Sequence, residues 1–223
     1  MTDFNKISGH ISVSRNLKNR PFKLNSEESL SIKSKLKKIF KSACFMSVGE
    51  LPVDLVKSLI VNDFIEPDFT LNEDAFIIEV DSKSGIYIVV GGEDVVSIKS
   101  TVFNLDVYGA YDRLLDIEKR LLSVLEFAFS PQYGYLTVNP ANSGTGLKIY
   151  LDLYLKNLTF DDKIDQLISL AKEYGFTLTT KRPDLSIYTL TNFVTVGVTE
   201  NEILSSAKQF ALNALTVEDD LND

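Results

Sequence analysis

Residues 133–155 read YGYLTVNPANSGTGLKIYLDLYL, a glycine-rich loop that leads into a strongly alternating segment. In residues 147–155 every second residue is leucine or isoleucine. The residues between them are Lys148, Tyr150, Asp152 and Tyr154. Period-two alternation is typical of a β-strand buried on one side. The segment therefore predicts a strand whose second face is polar and suited to a binding site.

Further strands are predicted on both sides of this segment. Two apolar runs flank the sequence DSKSG at residues 81–85, which has the composition of a hairpin loop. The full set of predicted strands is 75–80, 86–90, 95–103, 147–155, 176–180 and 186–198. Hairpins and clustered strands of this kind favour an antiparallel sheet over regular βαβ units.

Helices are predicted between and after the strands. Asn25 and Glu28 have the spacing of a capping box that opens a helix reaching about Lys41. The lysines of that helix form either its solvated face or a patch for an anionic partner. The predicted helices are 25–41, 52–61, 105–129, 160–174 and 200–215. The predicted fold class is α+β, an antiparallel β-sheet surrounded by helices.

Length and composition are those of an ordinary globular protein. The chain has 223 residues, of which 44% are hydrophobic and 24% charged. Such a chain is long enough to bury a sizeable core and has too much apolar content for intrinsic disorder. The sequence has no low-complexity linker and no repeat. We therefore expect one core domain over residues 1–215, followed by an acidic tail over residues 216–223.

Charge and residue counts exclude several classes of function. The net charge of −8 repels nucleic acid, so we expect no nucleic-acid partner. No apolar run is long enough for a membrane helix and no signal peptide is visible, which predicts a cytoplasmic protein without membrane contact. One histidine and one cysteine, Cys44, exclude a disulfide framework and a His/Cys zinc site, so no metal site is predicted. The apolar neighbours of Cys44 predict a buried thiol.

Three stretches resemble motifs of one enzyme family. YGYLTVNPANSGTGLK at 133–148 is similar to the signature YGYLTxCPTNxGTGxR of the ATP:guanido phosphotransferases. SRNLKNRPF at 14–22 is similar to the family's ARNLxxxPF, and TNFVTVG at 191–197 to its SNQxTLG. The resemblance covers residues 7–215 and is strongest to the bacterial protein-arginine kinase branch. It implies an antiparallel sheet surrounded by helices, in agreement with the pattern of the chain itself.

The family transfers the terminal phosphoryl group of MgATP to a guanidinium nitrogen. Catalysis of this kind depends on positioning and on cations that neutralise phosphate charge. The family's first arginine motif, RxRxxR, corresponds to residues 10–15. Its first two arginines are replaced by His10 and Ser12, and only the third remains, as Arg15. Arg15 then binds either a residual phosphate or an internal carboxylate, and His10 is expected to be a packing or surface residue.

Two more family motifs have lost nucleotide contacts. In NDFIEP at 62–67, similar to KHLISP, the family's histidine is replaced by Asp63, an anion that repels phosphate. In GGEDVVS at 91–97, similar to NEEDHLR, the arginine is replaced by Ser97. Glu93 remains there, and the resemblance implies a vestigial carboxylate for the substrate guanidinium. Its alternative interpretation is a residue at the edge of a strand.

The signature loop has also changed. The family's cysteine, which contacts the substrate guanidinium, is replaced by Asn139, and the closing arginine by Lys148. A lysine keeps the charge but lacks the planar bidentate fork of arginine. Nucleotide contacts are implied for Arg15, Lys148 and the loop residues Ser143, Gly144 and Thr145. The loop's backbone amides either hold an anion or shape the turn into the strand.

A later family loop, RGxxGE, is shortened to TKRPDLS at 180–186. Arg182 or Asp184 is the candidate there for one of the missing groups. With several phosphate clamps lost, the sequence predicts a degenerate, non-catalytic relative that acts as a binding or regulatory module without a cofactor. Its expected partner is a protein, an active arginine kinase or an arginine-bearing peptide. The alternative is a divergent active phosphotransferase that uses MgATP, with Lys148, Lys181 or Arg182 replacing the lost arginines.

Overall fold

The computed structural model describes residues 7–221. The strands are β1 (Ile7–Arg15), β2 (Cys44–Ser47), β3 (Phe76–Asp81), β4 (Ile86–Val90), β5 (Val96–Thr101), β6 (Phe129–Ser130), β7 (Gly134–Tyr135), β8 (Leu147–Tyr154), β9 (Phe176–Arg182) and β10 (Ile187–Asn192). The helices are α1 (Ser26–Ile39), α2 (Val53–Val61), α3 (Val107–Leu122), α4 (Lys156–Phe160), α5 (Ile164–Glu173) and α6 (Glu200–Asp220). The predicted α+β class is confirmed.

Eight of the strands form one sheet in the order β2-β3-β4-β5-β1-β8-β10-β9. Every neighbouring pair in it is antiparallel. Strands β6 and β7 form a separate two-stranded ribbon before the glycine-rich loop. Strand β8, the alternating segment, lies near the centre between β1 and β10. The sheet therefore carries its most strongly patterned strand in its interior.

One face of the sheet packs against helices and holds the main core. The inward residues of β8 are fully buried there, as the alternation predicts. Ile11 and Val13 of β1 and Ile98 of β5 continue this apolar layer. Helices α3 and α6 cover the centre of the face, and α5 packs on β9. Burial of this kind contributes about 25 cal/mol for each Å² of apolar surface removed from water.

The second face is divided into an apolar and a polar part. Leu59 of α2 and Phe69 pack on Ile77 of β3 and Val89 of β4, which forms a smaller second core. This cover lies over the β2 to β4 side. On β5, β1 and β8 the same face presents mainly polar residues. The sheet thus leaves a polar floor beside the small core, and this floor is the candidate site.

Several predicted elements are confirmed. Helix α1 begins after Asn25, whose side chain accepts from the Glu28 amide, and both halves of the capping box are present. The hairpin of β3 and β4, the helix at 53–61 and the central strand at 147–154 lie where the patterns place them. At these elements the local sequence preferences agree with the tertiary packing, so the sequence predicts the elements correctly.

The helix predicted over 105–129 is shorter than expected. It spans Val107–Leu122, with Asp106 as its N-cap. Beyond it the backbone pairs with the chain near β1: the Lys18 amide donates to the Glu126 carbonyl, and the Ala128 amide donates to the Asn16 carbonyl. The helix ends because backbone pairing with residues near β1 replaces helical hydrogen bonds there. The apolar residues beyond it keep the helical spacing without being helical.

Two other predicted elements are divided or cut short. The helix predicted over 160–174 is α4 and α5, separated near Asp162, which has a left-handed φ of 55°. The strand predicted over 186–198 ends at Asn192, whose side chain donates to the Leu147 carbonyl and accepts from the Ile149 amide. Side-chain bonds to the neighbouring strand therefore replace further pairing. The remaining residues form the loop that leads to α6.

The prediction of an acidic tail from residue 216 is wrong for the described part. Helix α6 continues to Asp220, and residues 222–223 lie outside the described residues. Glu218 is buried and accepts hydrogen bonds from the amides of Asn157 and Leu158, at 2.8 and 2.9 Å. It thereby caps the start of α4, where free amides attract an anion. The single core domain stays a prediction.

The environment of Cys44 was predicted wrongly, and four strands (β1, β2, β6 and β7) were not predicted. Cys44 is exposed, because β2 is a short strand at the edge of the sheet. β2 was not predicted from its four residues, and β1 was quoted only for its family resemblance. Yet β1 also alternates, with Ile11 and Val13 on one side and hydroxyl or imidazole groups on the other.

Candidate functional site

Alternate residues of three neighbouring strands form the polar floor. Ser12 of β1 lies opposite Lys99 of β5 and, on its other side, opposite Lys148 of β8. His10 lies opposite Tyr150 of β8. Directly opposed residues of antiparallel strands lie on the same face with their side chains close together. The floor therefore has one row with a lysine on each side of Ser12 and a second row that is aromatic.

Both lysines of the first row are bonded to backbone carbonyls. Lys99 is buried, and its Nζ donates to the Asp63 carbonyl at 3.3 Å. Burial lowers the pKa of Lys99, and nearby carboxylates oppose that shift. Lys148 Nζ donates to the Asn192 carbonyl at 2.8 Å. Burial also lowers the pKa of Lys148, against the opposite effect of Glu93. The two ammonium groups are directed to different carbonyls and do not form one clamp.

His10 lies in the second row and is packed between two aromatic rings. Its ring centroid is 4.3 Å from that of Phe64 and 4.6 Å from that of Tyr150. Only 1% of the residue is exposed. Burial, followed by the charges of Lys99 and Lys181, holds the pKa of His10 well below its usual value. The imidazole is therefore neutral at pH 7, and His10 is a packing residue, as expected.

Asp63 belongs to a network of charged groups beside this row. Lys181 Nζ lies 2.9 Å from Asp63 Oδ2 and 2.8 Å from Asp152 Oδ2. The second oxygen of Asp152 accepts from Thr189 Oγ1 at 2.6 Å. Burial lowers the pKa of Lys181, but the bonds to Asp152 and Asp63 outweigh it, so the pKa is raised. Lys181 therefore links the turn after α2 to β8 and is already paired with two anions.

Arg15 is buried on the opposite side of the sheet. Its Nε donates to Glu118 of α3 at 2.6 Å, and its Nη1 donates to the carbonyls of Ser14 and Thr145 at 2.8 and 2.9 Å. The guanidinium also lies 3.5 Å from the ring centre of Tyr135. Of the two interpretations of Arg15, the internal ion pair is the one that the geometry supports. The guanidinium joins the glycine-rich loop to α3.

The glycine-rich loop uses its amides within the protein. The amides of Ser143, Gly144 and Thr145 donate to the carbonyls of Pro140, Tyr135 and Thr195. The buried hydroxyl of Ser143 lies 3.1 Å from Thr137 Oγ1, and that of Thr145 accepts from the Leu147 amide. A Cβ on Gly144, whose φ is 92°, would meet the Thr195 carbonyl at 2.3 Å. The loop geometry favours turn shaping over anion binding.

Asn139 lies at the exposed start of the same loop. Its side-chain oxygen accepts from the Ala141 amide at 3.1 Å and caps a short 3-10 turn over Pro140–Asn142. This is a local structural role for the residue at the family's cysteine position. Ser97 is likewise engaged, since its hydroxyl lies 3.1 Å from that of Ser14.

Glu93 lies in an acidic surrounding beside the floor. Partial burial raises the pKa of Glu93, followed by the charges of Asp94, Glu66 and Asp68, and Lys148 acts in the opposite direction. The side chain of Glu93 is exposed and lines a cavity of about 680 Å³. Asp94, in contrast, is buried and accepts from the side chain of Asn16 and from the Val138 amide. Of this pair only Glu93 is free to meet a ligand.

Comparison with known proteins identifies the family to which this chain belongs. The family model described as ATP:guanido phosphotransferase, C-terminal catalytic domain, matches residues 23–221. The chain belongs to the ATP:guanido phosphotransferase family. A protein-arginine kinase of Clostridium kluyveri is 32% identical over 231 residues, which cover 95% of this chain and 66% of the relative. One from Clostridium botulinum is 26% identical over 224 residues, again covering 95% and 66%.

Solved guanidino kinases share the fold of this family member. A lombricine kinase superposes with a TM-score of 0.79 at 16% identity, over 99% of this chain and 68% of that one. The substrate-free duplicated taurocyamine kinase of Schistosoma mansoni gives 0.77 at 18% identity, over 96% and 32%. The chain thus spans about two thirds of the length of its curated relatives, and the fold extends over nearly all of it.

The arginines of this guanidino-kinase relative are all engaged inside the protein. The sequence has five. Their partners are Glu118 for Arg15, Glu28 for Arg20, the Thr101 carbonyl for Arg113, the Ile39 carbonyl for Arg120 and Asp184 for Arg182. None of the five lies in the rows that β5, β1 and β8 form on the polar floor. Arg182 and Asp184 pair with each other at the surface.

The floor contains one charged residue that the sequence analysis missed. Lys99 was not singled out, although Ser97 and Lys99 alternate with the apolar Val96 and Ile98 along β5. That alternation was the available signal. Its burial and its position opposite Ser12 depend on strand order, which the alternation of a single strand does not give.

Two features are absent from residues 7–221. No helix there is long and apolar enough to cross a membrane. No group of three or more histidine, cysteine, aspartate or glutamate residues in that range is arranged to hold a metal ion.

Proposed function

We propose that this member of the ATP:guanido phosphotransferase family is a non-catalytic pseudokinase that acts as a binding or regulatory module. The observation that carries the proposal is the state of the arginines. All five are bonded within the protein, and the two positions of β1 that the resemblance assigns to phosphate contacts hold His10 and Ser12 in place of arginines. A polyphosphate on this floor would meet no guanidinium group.

The remaining groups also argue against a triphosphate site. His10 is neutral and buried, and Asp63 contributes a negative charge at the family's histidine position. Lys99 and Lys148 are each bonded to a backbone carbonyl. A charge-assisted hydrogen bond contributes about 1.5 to 3 kcal/mol, and one catalytic arginine contributes about 10³ to 10⁵ in rate. The loss of several such groups removes most of the stabilisation of the phosphoryl-transfer transition state.

The proposal is tested by phosphoryl transfer itself. Purified protein is incubated with γ-labelled MgATP and either free arginine or an arginine-bearing protein, and acid-labile phosphoarginine is measured. A bacterial protein-arginine kinase in the same assay is the positive control. We expect no phosphoarginine above the level without enzyme. Formation that depends on the protein and is lost in a Glu93→Ala variant would overturn the proposal.

A protein partner follows from this proposal. Glu93 is exposed, lies beside a cavity of about 680 Å³ and is surrounded by other carboxylates. A carboxylate of this kind can accept two parallel hydrogen bonds from a guanidinium. The proposed partner is therefore an arginine-bearing peptide or an active arginine kinase. Calorimetric titration with an arginine peptide, beside a matched lysine peptide, tests the peptide version, and equal heats for the two would exclude it.

A second candidate function is a divergent active phosphotransferase. It is favoured by the lysines on either side of Ser12, which put two cationic side chains next to a position where the family has an arginine. In this version MgATP is the substrate and Lys148 replaces the closing arginine of the signature. A Lys148→Met variant separates the two functions, because activity that falls on this change would support the second one.

A further inference from the structure

A groove of about 430 Å³ runs between α5 and α6, on the face of the sheet that the helices cover. Its apolar lining comes from Leu167, Leu170 and Tyr174 of α5 and from Phe210, Ala214 and Val217 of α6. The exposed fraction is 43% for Leu170, 60% for Tyr174 and 45% for Val217. Neighbouring apolar side chains with this much exposure are typical of a surface that binds another molecule.

The groove continues into a second cavity of about 280 Å³ at the C-terminal end of α5. Among the described residues, no charged residue lines the first cavity, and the charged residues that line the second are Glu173 and Glu202. Both carboxylates are exposed. The free carbonyl groups at the end of α5 add partial negative charge beside them. This end of the groove is therefore suited to a partner that carries a cation.

The chain itself brings no cation into the groove. None of the described lysines and arginines lines either cavity. Lys208 of α6 lies towards α3, with its Nζ 5.6 Å from the centre of the Tyr108 ring. A second copy of the chain that met this groove with its own would likewise bring no cation to Glu173. The charges therefore favour a different protein as the partner.

The shape of the groove favours a helical partner. The residues of α6 that line it recur at three- and four-residue spacing from Ser205 to Val217, a row of about 18 Å at 1.5 Å per residue. The side chains of a further helix pack into rows of this kind. An extended peptide would find no partners for its N–H and C=O groups, because the backbone of α5 and α6 is bonded within the helices. A helix satisfies these groups internally.

We infer that the groove between α5 and α6 binds an amphipathic helix of a partner protein. This helix has an apolar stripe at i, i+3, i+4 and i+7, and one of its ends carries lysine or arginine that meets Glu173 and Glu202. The surface goes beyond the proposed function, because it uses neither the polar floor nor Glu93. Its test therefore succeeds or fails independently of nucleotide and arginine binding.

The absence of tryptophan from the sequence makes the test direct. The probe is a synthetic peptide of about 16 residues, long enough for four helical turns. It has leucines at i, i+3, i+4 and i+7, one tryptophan on the same face and two lysines in its last turn. We expect a saturable shift of the tryptophan emission to shorter wavelength, with a dissociation constant of about 1 to 100 μM. A peptide of the same composition without an apolar face should give no saturable shift.

An exchange of charges tests the role of the acidic end. A peptide with glutamates in place of the two lysines should bind about 3- to 10-fold more weakly, the range for exposed charge pairs. In a Glu173→Lys variant this preference should reverse. Glu173 is exposed, so the fold tolerates the substitution. Equal binding of the two peptides to the wild-type protein, or an unchanged preference in the variant, would contradict the inference.

A matched pair of variants localises the binding. Leu170 lines the groove, whereas the neighbouring Ser169 is exposed and does not line it. The emission shift should disappear in Leu170→Lys and persist in Ser169→Lys. An absent shift with the wild-type protein, or a shift retained in Leu170→Lys, would overturn the inference. So would a concentration-dependent dimer in sedimentation velocity that Leu170→Lys abolishes, because a second copy would then occupy the groove. The comparison of the peptides on the wild-type protein needs no variant.

Discussion

The first prediction concerns single residues, the ion pair of Arg15 and Glu118, and its contribution to the free energy of unfolding. It is buried, and Arg15 also donates to two carbonyls. Removing one partner of a buried pair leaves an uncompensated charge, which costs about 3 to 5 kcal/mol. Glu118→Gln should therefore lower the free energy of unfolding by about 3 kcal/mol in urea denaturation.

The adjacent residue provides the control for this change. Lys119 forms an exposed pair with Asp116 at 3.3 Å. Exposed pairs of this type contribute about 0 to 1 kcal/mol, so Lys119→Gln should leave the unfolding curve almost unchanged. Equal effects of the two substitutions would contradict the structural role given to Arg15.

The second prediction concerns His10 and the pH dependence of the free energy of unfolding. Its pKa is about 6.5 in the unfolded chain and well below that in the folded protein, chiefly because of burial. Between these two values the unfolded chain binds the proton and the native protein does not. The free energy of unfolding therefore rises with pH in this window and is lost as the pH falls below about 6.5, by at most about 1.4 kcal/mol per pH unit.

A His10→Phe variant isolates this effect. Phenylalanine keeps the aromatic packing against Phe64 and Tyr150 without a titrating group. Glu93, whose raised pKa acts with the opposite sign at lower pH, is present in both proteins and cancels in the comparison. Urea denaturation from pH 5 to 7.5 should show a smaller slope for the variant, and parallel curves would contradict a neutral buried imidazole.

The third prediction belongs to the scale of elements and concerns the contact of α6 with α4. Glu218 accepts hydrogen bonds from two amides at the start of α4. Bonds to a charged group contribute about 1.5 to 3 kcal/mol each. Glu218→Ala should lower the free energy of unfolding by about 2 to 4 kcal/mol, and truncation after Leu215 should cost at least as much.

The control lies two residues further along the same helix. Asp220 is exposed, so Asp220→Ala should change stability by no more than about 0.5 kcal/mol. If thermal denaturation shows that truncation after Leu215 is harmless, residues 216–220 act as a tail after all, and the capping role of Glu218 is wrong.

How far the elements could be predicted depended on whether their signals were local. The alternation of β8 and the capping box at Asn25 are complete within a few residues, and both are confirmed. The ends of α3 and β10 are fixed by hydrogen bonds to parts of the chain that are distant in sequence. The residue pattern around those ends therefore does not show where the helix or strand stops. The extension of α6 was not predicted for the same reason. Acidic residues at the end of a chain indicate a solvated tail, and the local sequence does not show that Glu218 accepts hydrogen bonds from amides of α4.

The candidate site was predicted as a set of positions and not as an arrangement. The resemblance identified His10, Ser12, Asp63 and Ser97 as changed, and the sequence predicted a packing or surface residue at His10. The partners of these residues follow from strand order and from the loop at α2, so the network of Lys181 with Asp63 and Asp152 was not foreseen. The position of Lys99 in the site follows only from the pairing of β5 with β1.

At the scale of the whole molecule, the chain keeps the fold of the ATP:guanido phosphotransferases, and its arginines bond to groups of the protein itself. The net charge of −8 gives no general attraction for polyphosphates. The five arginines stabilise helices, turns and the glycine-rich loop. We propose that the scaffold is intact and the nucleotide site is lost, and a measurement of nucleotide binding tests this proposal more directly than any substitution.

The decisive measurement is a calorimetric titration of the purified protein with MgATP and MgADP at low ionic strength, where weak phosphate contacts are strongest. A bacterial protein-arginine kinase under the same conditions is the positive control. We expect no saturable heat for either nucleotide with this protein. Saturable binding with a dissociation constant of about 1 to 100 μM, a free energy near −8 to −5 kcal/mol, would contradict it.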